Sequence, residues 1–451
     1  MTAKSERAAV ATPLEALYLG TPGPDHLTAT EDGQTLDGLG GDDYLESGYS
    51  DPTLLGGDGD DTLRSWLSIE DRLGWSYDVT QSGGDGDDDL GARFDFDGLD
   101  EGSALYSTLR LNGNAGNDVI DVALSLERFS SGGYYDIAIL GGAGDDTVLL
   151  DFSMNRIGMR PPEVSRLALS GGSGNDMIGV RLRFTGDEDL RCVTSVDAGR
   201  GDDTVRLRTS ASSLGDMDQT SWVYGQAGDD DIWVRQTAQP GFSATQHTFV
   251  WGGDGDDKIV ASSAAPFARH RNVSHSLSGE NGNDELRARI EVTSPLDGNQ
   301  GYANGLYGGS GDDTLFAVIT VALGFNTVSG GDGDDRIYVS GGNANQIRTG
   351  AGIDTFVIEP FAATGQRTRL LDFNGAVDRF EILGLSDLGA PGLVDDLDAI
   401  ATFAPSGPGD LRVTIGALII DVRGAPPNAD SFADIVADPA TQIFASDDAF
   451  A

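Results

Sequence analysis

The sequence predicts an all-β protein, a parallel β-solenoid or β-roll with glycine-aspartate turns stacked on one edge and a β cap at its C-terminal end. Three observations support this fold class. A motif rich in glycine and aspartate recurs along most of the chain, polar and apolar residues alternate between its copies, and the motif stops well before the C-terminus. Units of this kind cannot bury a face alone, but stacked together they form a continuous core.

The repeat is defined by one aspartate in each copy, which we call the anchor. Gly56 to Leu63 reads Gly-Gly-Asp-Gly-Asp-Asp-Thr-Leu, and close copies begin at Gly141, Gly252 and Gly330. In all fourteen copies a glycine lies two residues before the anchor and an apolar residue lies two residues after it. The anchors are Asp25, Asp43, Asp61, Asp88, Asp118, Asp146, Asp176, Asp203, Asp230, Asp257, Asp284, Asp313, Asp335 and Asp354.

The segments between the anchors predict two strands in each coil. Alternation such as Leu286, Ala288 and Ile290 is typical of a strand with one buried face. Each coil therefore contains a glycine-rich turn, a strand, a second turn and a second strand. The middle coils are longer, and we assign their extra residues to longer strands and to excursions at the second turn. The candidate excursions are Ser210 to Gln219, Ala238 to Thr245, Ala264 to Asn272 and Ser294 to Asn304.

The chemistry of the glycine-rich turn predicts a site for a hard cation. Glycine permits positive φ and allows backbone carbonyls to point inward together, and each anchor adds a carboxylate. Ca²⁺ takes six to eight oxygen ligands, so an ion is expected between two stacked loops. Without cations, the stacked carboxylates would repel one another. Metals that prefer thiolate or imidazole find few ligands, because the chain has one cysteine and four histidines.

Composition narrows the choice of partners. The 451 residues include 73 acidic and 29 basic side chains, a net charge of −44. Such a chain is repelled by phosphate backbones, so we expect no nucleic-acid partner. No apolar run approaches the ~18 residues of a membrane span. Twenty-three acidic residues occupy the anchors and the positions just before them, so we expect much of this charge to be metal ligand.

The motif resembles the Gly-Gly-x-Gly-x-Asp-x-apolar-x nonapeptide of the repeats-in-toxin family, the haemolysin-type calcium-binding repeats, over about residues 18 to 358. The resemblance implies that the fourteen anchors and loop carbonyls bind roughly 10–13 Ca²⁺ ions between the turns of a parallel β-roll. The copies with Pro24 and Ile353 are the weakest of these sites. With one motif per coil, a single calcium column is expected, and an opposite edge without ions. The glycines assigned to the sites are Gly57, Gly59, Gly84, Gly86, Gly142, Gly144, Gly172, Gly174, Gly253, Gly255, Gly309, Gly311, Gly331 and Gly333.

The predicted domain organisation has three parts. Residues 1–17 form an N-terminal extension, residues 18–358 a calcium-binding solenoid of about 14 coils, and residues 359–451 a C-terminal cap with a secretion signal. Leu411 to Ile415 and Leu418 to Val422 read as a hairpin within the cap. The N-terminus lacks the apolar run of a secretory signal peptide. The family resemblance instead implies export by type I secretion machinery, with folding on Ca²⁺ outside the cell.

Three function classes remain open. The leading one is a secreted, extracellular calcium-binding solenoid with a structural or cell-surface role, such as a self-assembling matrix, surface-layer or filament subunit. The alternative is an adhesin or carbohydrate-binding module that grips acidic polysaccharide through outward arginines or stacks sugars on Tyr224, Trp251 and Tyr307. Simple neutralisation of acidic loops and an aromatic ladder would also explain these residues. The arginines are Arg181, Arg183, Arg206, Arg208, Arg235, Arg287 and Arg289.

An enzyme is the least favoured class, and we predict no catalytic residues and no organic cofactor. His270 and His275 fall in one predicted loop excursion, where solvated histidines are common. The Gly-x-Ser-x-Gly and His-Glu-x-x-His motifs do not occur. The repeats begin near residue 18, so we expect no separate catalytic domain before them.

Overall fold

The structure is a computed structural model. It describes residues 16–70, 76–97, 106–129, 134–156, 165–186, 189–213, 216–238, 243–264, 270–292, 300–321, 324–358, 366–383, 401–407, 410–415, 418–426, 428–436 and 443–446. Most of the N-terminal extension and of the C-terminal tail therefore lies outside the described residues.

The described residues are almost entirely β-structure, with one 3-10 turn at Phe432–Asp434. The strands are β1 (Leu17–Leu19), β2 (His26–Thr28), β3 (Thr35–Gly40), β4 (Tyr44–Ser47), β5 (Thr53–Asp58), β6 (Thr62–Glu70), β7 (Ser76–Asp85), β8 (Asp89–Asp97), β9 (Tyr106–Ala115), β10 (Val119–Phe129), β11 (Tyr134–Ala143), β12 (Thr147–Arg156), β13 (Ser165–Ser173), β14 (Met177–Gly186), β15 (Leu190–Arg200), β16 (Thr204–Ser213), β17 (Met217–Ala227), β18 (Asp231–Ala238), β19 (Ser243–Asp254), β20 (Lys258–Ala264), β21 (His270–Asn281), β22 (Glu285–Glu291), β23 (Gln300–Ser310), β24 (Thr314–Ile319), β25 (Phe325–Asp332), β26 (Arg336–Ser340), β27 (Asn345–Ala351), β28 (Thr355–Ile358), β29 (Arg367–Leu370), β30 (Arg379–Leu383), β31 (Ala401–Gly407), β32 (Asp410–Ile415), β33 (Leu418–Arg423) and β34 (Ile443–Ser446).

These strands form two parallel sheets that face each other. The odd-numbered strands β1 to β29 make the first sheet, and the even-numbered strands β2 to β30 make the second. Each strand pairs in parallel with its counterpart one coil away, as β16 does with β18. The chain crosses from the first sheet to the second through the glycine-aspartate turn, which we call the first edge. The fifteen described coils confirm the predicted parallel β-solenoid.

Alternate side chains of both sheets point into a shared core. Leu63, Leu90 and Ile120 form one such row on the second sheet, and all three are fully buried. Full burial of a leucine or isoleucine side chain contributes about 1.5–3 kcal/mol, and the register repeats this in every coil. The structure therefore confirms the alternation predicted from sequence, in which the apolar residues face inward.

The longer middle coils are explained mainly by longer strands. β19 has twelve residues, whereas β4 has four. The assignment of Ser210 to Gln219 to an excursion is largely wrong, because β16 continues to Ser213 and β17 begins at Met217. Parts of the predicted excursions, residues 214–215, 239–242, 265–269 and 294–299, lie outside the described residues.

The half of the interior farther from the first edge contains buried polar side chains. His275, Asn304 and Asn326 occupy one row of the first sheet, and all are at most 2% exposed. His275 Nδ1 lies 3.0 Å from Asn304 Oδ1, and Asn304 Nδ2 donates to Asn326 Oδ1 at 2.9 Å. The prediction that His275 lies in a solvated loop is therefore wrong. The side chain lies in the core, and burial lowers its pKa to about 4.

The C-terminal segment continues both sheets. β33 pairs in parallel with β29, and β34 pairs in parallel with β30. β32 and β33 form the predicted hairpin, and β31 adds a further antiparallel strand. The nearly buried carboxylate of Asp421 binds Arg367 and Arg412, each at 2.7 Å. None of the described segments forms a helix with the length and apolarity needed to span a bilayer.

Candidate metal centre

The fourteen anchors form a column along the first edge, with one anchor in each of the first fourteen coils. From Asp43 to Asp354 their exposed fraction is 3% or less. The Oδ1 atom of each of these anchors accepts a hydrogen bond from the backbone N–H of the anchor in the preceding coil, at 2.7–3.0 Å. These bonds hold the second carboxylate oxygen, Oδ2, in a constant orientation from coil to coil.

Thirteen anchors, Asp43 to Asp354, have an Oδ2 atom that is buried and has no hydrogen-bond partner among the described residues. Leaving a buried charged group unpaired is costly, so such groups normally bind a counter-charge or take up a proton. A column of thirteen equivalent unpaired oxygens is therefore best explained by cations that bind there.

At eleven of the thirteen anchors the unpaired oxygen faces the first glycine of the motif, whereas Ala198 and Thr349 stand at that position before Asp203 and Asp354. A Cβ atom at Gly225 would overlap Asp230 Oδ2 and lie 2.5 Å from the carbonyl oxygen of Gly252 in the next coil. Carboxylate and carbonyl oxygens thus converge on a space that a side chain would fill. The same cradle occurs at Gly38, Gly56, Gly83, Gly113, Gly141, Gly171, Gly252, Gly279, Gly308 and Gly330.

Sequence reasoning did not assign this first glycine to the site. The assigned glycines stand one and three residues further on, and in the described turns they have positive φ, as at Gly84 and Gly86. A Cβ at Gly84 would overlap the carbonyl oxygen of Gly57, so close approach of successive coils requires glycine there. Their assignment as ligands remains a prediction. The signal that could have identified the first glycine was its recurrence five residues before most anchors.

Both ends of the column differ from its middle. Asp25 Oδ2 accepts hydrogen bonds from the backbone N–H and the hydroxyl of Thr21. Beyond Asp354 the column continues to Asp378, whose Oδ2 accepts the Asn374 N–H at 2.6 Å. Asp378 was missed from sequence because Ala376 replaces the glycine two residues before it, although Phe380 keeps the apolar position. At each end of the column, protein groups therefore donate hydrogen bonds to the carboxylate oxygen that is unpaired in the middle, and Asp354 lies between these two ends.

The charged form of the carboxylates in the column is destabilised. Burial, followed by repulsion from neighbouring anchors, raises the pKa of Asp146 and Asp203 to about 7 and that of Asp257 and Asp335 to about 8. The fold without metal therefore favours protonated anchors. A divalent cation would stabilise the charged carboxylates instead, because it supplies positive charge beside them.

The raised pKa values predict that acid stabilises the metal-free fold. A group whose pKa is higher in the folded state stabilises the fold at low pH, and this contribution disappears as the pH rises through the folded pKa. In excess chelator we expect more β-structure at pH 5 than at pH 8, with the change centred between about pH 6 and 8, the range of the raised pKa values of Asp61, Asp146 and Asp257. Far-ultraviolet circular dichroism against pH measures it. A β-signal that fell on acidification would contradict the prediction.

The position just before each anchor has a different role from the anchor itself. Its exposed Asp or Asn Oδ1 accepts the backbone N–H of the corresponding residue in the next coil, at 2.7–3.2 Å. Asparagine can do this as well as aspartate, which explains Asn117, Asn175 and Asn283. The expectation that the nine aspartates at this position are metal ligands remains a prediction, and their Oδ1 atoms also tie successive coils together at the surface.

The donor set of the column fits Ca²⁺. All the converging atoms are hard oxygens, and Ca²⁺ prefers carboxylate and carbonyl oxygens in flexible coordination. Within the described part of the chain, no three His, Cys, Asp or Glu side chains form a metal-binding group. One carboxylate per coil therefore has to be complemented by backbone carbonyls, as the cradle at Gly225 and Gly252 allows.

The predicted surface residues lie on opposite faces of the solenoid. The seven arginines are on strands of the second sheet, whereas Tyr224, Trp251 and Tyr307 are on the first. They cannot form one joint site. Tyr224 and Trp251 stack at 4.9 Å with their planes 7° apart, and Trp222 stacks on Phe249 at 4.3 Å. Because these ring faces cover one another, these four aromatics form a cross-strand ladder rather than a flat platform for sugars. Tyr307 is exposed and lies two coils beyond Trp251, with Ser278 between them.

Three buried side chains that contact one another in series have the composition of a catalytic triad. Ser263 Oγ lies 2.9 Å from His275 Nε2, and His275 in turn contacts Asn304. All three side chains are at most 2% exposed. A nucleophile must reach its substrate, so this arrangement is explained as part of the polar core.

A comparison with known protein families finds a match at several of the glycine-aspartate turns. The family model of the RTX calcium-binding nonapeptide repeat (4 copies) matches residues 19–48, 28–63, 110–123, 249–264, 301–317 and 318–345. These segments include seven of the fourteen anchors, Asp25, Asp43, Asp61, Asp118, Asp257, Asp313 and Asp335. A comparison with curated proteins finds no match. The matched model describes a calcium-binding repeat, which supports multiple Ca²⁺ ions for this chain.

Proposed function

We propose that this chain of RTX calcium-binding repeats is a secreted protein that folds when Ca²⁺ binds outside the cell and then has a structural or cell-surface role. The observation that carries the proposal is the column of thirteen buried Oδ2 atoms without partners. Eleven of these oxygens face a glycine at which a carbonyl oxygen of the next coil also converges. The proposed ligands are the thirteen anchors Asp43 to Asp354 and the carbonyls of their loops.

The charge of the chain supports folding that depends on calcium. Thirteen Ca²⁺ ions would bring +26, which would reduce the net charge from −44 to −18. Calcium sites of extracellular modules operate at about 10⁻⁴ to 10⁻³ M, far above cytosolic calcium. The binding free energy of such ions becomes folding free energy, so the chain would remain largely unfolded until it leaves the cell.

Export and role follow from the family resemblance and from the shape of the molecule. An unfolded chain suits type I secretion, which the resemblance implies. Fifteen coils at a spacing of about 4.8 Å make a rod about 70 Å long. A rod of this length, held at every coil by ions and backbone hydrogen bonds, suits a matrix, surface-layer or filament subunit.

Circular dichroism of the full chain during a calcium titration tests the proposal. In excess chelator we expect most of the β-signal to be absent, and millimolar Ca²⁺ should restore it cooperatively. Mg²⁺ should not substitute, because it demands near-ideal octahedral geometry and gives up its water reluctantly. A chain that is fully β-structured in chelator at pH 7.5 would overturn the proposal. Imaging of the protein on its producing cells, with and without chelator, tests the location.

A further inference from the structure

The outer face of the second sheet has two adjoining depressions, of about 340 and 360 Å³, and both are lined by Arg206 and Arg208. The first is also lined by Gly179, Arg181 and the carboxylates of Asp121 and Asp151, and the second by Trp233 and Arg235. We call these two depressions together the arginine groove. It follows the solenoid axis from β10 to β20, six coils or about 24 Å at the spacing of parallel strands.

The depressions result from small residues in one row of outward-facing side chains, which are in register on successive strands of the second sheet. Leu149, Gly179, Arg206, Trp233 and Val260 follow one another in register on successive coils. Gly179 has no side chain and Val260 is short, so each lies below the level of its larger neighbours. The floor of the groove is thus partly apolar, while its rim is formed by longer side chains.

The next outward row supplies positive charge from three arginines, of which two are unpaired. Arg181, Arg208 and Arg235 stand on three consecutive coils and pair in register. Arg181 is 3.9 Å from Asp151, which is bound more closely by Arg183 at 2.7 Å. Arg208 and Arg235 are exposed and have no ion-pair partner among the described residues. Neutralisation of acidic side chains, which explains Arg206 and Asp231, therefore does not explain these two.

We propose that the arginine groove binds one strand of an acidic polysaccharide. Its carboxylate or sulfate groups would bind the row of Arg181, Arg208 and Arg235, since the guanidinium fork matches such groups in bidentate geometry. Its sugar rings would sit over the depressions, whose volumes fall in the range of small-ligand sites. Because the charges recur once per coil along the axis, the site fits a linear polymer better than a single small anion. The proposal rests on the proposed function, because only the folded rod presents this groove.

A second copy of the chain is a poorer occupant. Its exposed aspartates just before the anchors already accept hydrogen bonds from their own neighbouring coils. A whole rod would also bring its large negative charge against another acidic rod. A single polysaccharide strand meets the four arginines that line the groove against the two carboxylates at its one end, Asp121 and Asp151, and physiological salt screens more distant charges beyond about 8 Å.

Binding of a galacturonic acid hexamer to the calcium-loaded full chain tests the proposal, with maltohexaose as the neutral comparison. We expect calorimetry to show binding of the acidic hexamer only, and the affinity should fall as salt rises. The double variant Arg208→Gln/Arg235→Gln should bind at least about tenfold more weakly, since two charge-assisted contacts are lost. Gly179→Leu should also weaken binding, because it fills a depression without changing the charge.

The matched control is Arg93→Gln/Arg110→Gln, which removes two exposed arginines outside the groove. It should bind the hexamer like the wild type. Circular dichroism in calcium confirms the fold of each variant, so a chain that folds without binding contradicts the groove proposal alone. A wild type that fails to fold in calcium contradicts the proposed function instead. Equal weakening in both double variants, or loss of self-association rather than of hexamer binding, would overturn the proposal.

Discussion

Asp230→Asn is expected to act in opposite directions with and without calcium. Asparagine keeps the shape of the side chain and can still accept the Asp203 N–H at Oδ1, a hydrogen bond of 2.8 Å. It removes the charge of a carboxylate that is 2% exposed and whose pKa burial raises to about 7. The variant therefore separates the structural role of this anchor from its role as a ligand.

In calcium, the variant should require more Ca²⁺ to fold and should unfold at a lower temperature. The loss of one site that is filled at 100 times its Kd removes about 2.7 kcal/mol of stability. In chelator, the variant should have more β-structure than the wild type, because one buried charge and its repulsion with Asp203 and Asp257 are gone. Circular dichroism against calcium concentration and temperature measures both effects.

Asp25→Asn is the matched control. Its Oδ2 is already bound by Thr21, so the substitution should leave the calcium titration and the chelator signal nearly unchanged. If Asp230→Asn lowered the β-signal equally in calcium and in chelator, Asp230 would be a hydrogen-bond acceptor only, and the metal assignment of the column would fail.

Much of the fold could be predicted because the repeat carries its information locally. A glycine two residues before an anchor and an apolar residue two residues after it are enough to locate a turn and the start of a strand. Alternation then determines which residues are buried, as at Leu63 and Leu90. The lengths of the middle strands could not be read in this way, because Ser210 to Ser213 have the composition of a loop but pair with the neighbouring coils. Tertiary pairing overrides local preference there.

The sequence predicts which residues form the site, but not how their atoms are arranged. The motif identifies the anchors, yet it cannot show that one oxygen binds a backbone N–H while the other is unpaired. It also cannot separate the anchor from the aspartate before it, since both are acidic and adjacent. Asp378 lacks the glycine of the motif, and only the register of β28 and β30 places it in the column. The groove depends on which arginines lack partners, which no spacing reveals.

Gly225→Val is expected to abolish calcium binding between its own coil and the next while every carboxylate remains in place. A Cβ at Gly225 would overlap Asp230 Oδ2 and lie 2.5 Å from the carbonyl oxygen of Gly252, so the side chain would occupy the cradle itself. The backbone at this position is not in the left-handed region, so strain at φ does not explain an effect. Alanine should have a smaller effect, because Ala198 occupies the equivalent position one coil earlier.

The comparison with Asp230→Asn makes this variant informative. Both should lower the calcium stoichiometry measured by calorimetry, and both should shift the folding titration to higher Ca²⁺. Only Asp230→Asn should gain β-structure in chelator, because only it removes a charge. Gly23→Val is the control, since a Cβ there meets nothing within 4 Å. Normal calcium stoichiometry in Gly225→Val would show that the ion does not lie between Asp230 Oδ2 and the Gly252 carbonyl, because that space cannot hold both a valine side chain and a metal.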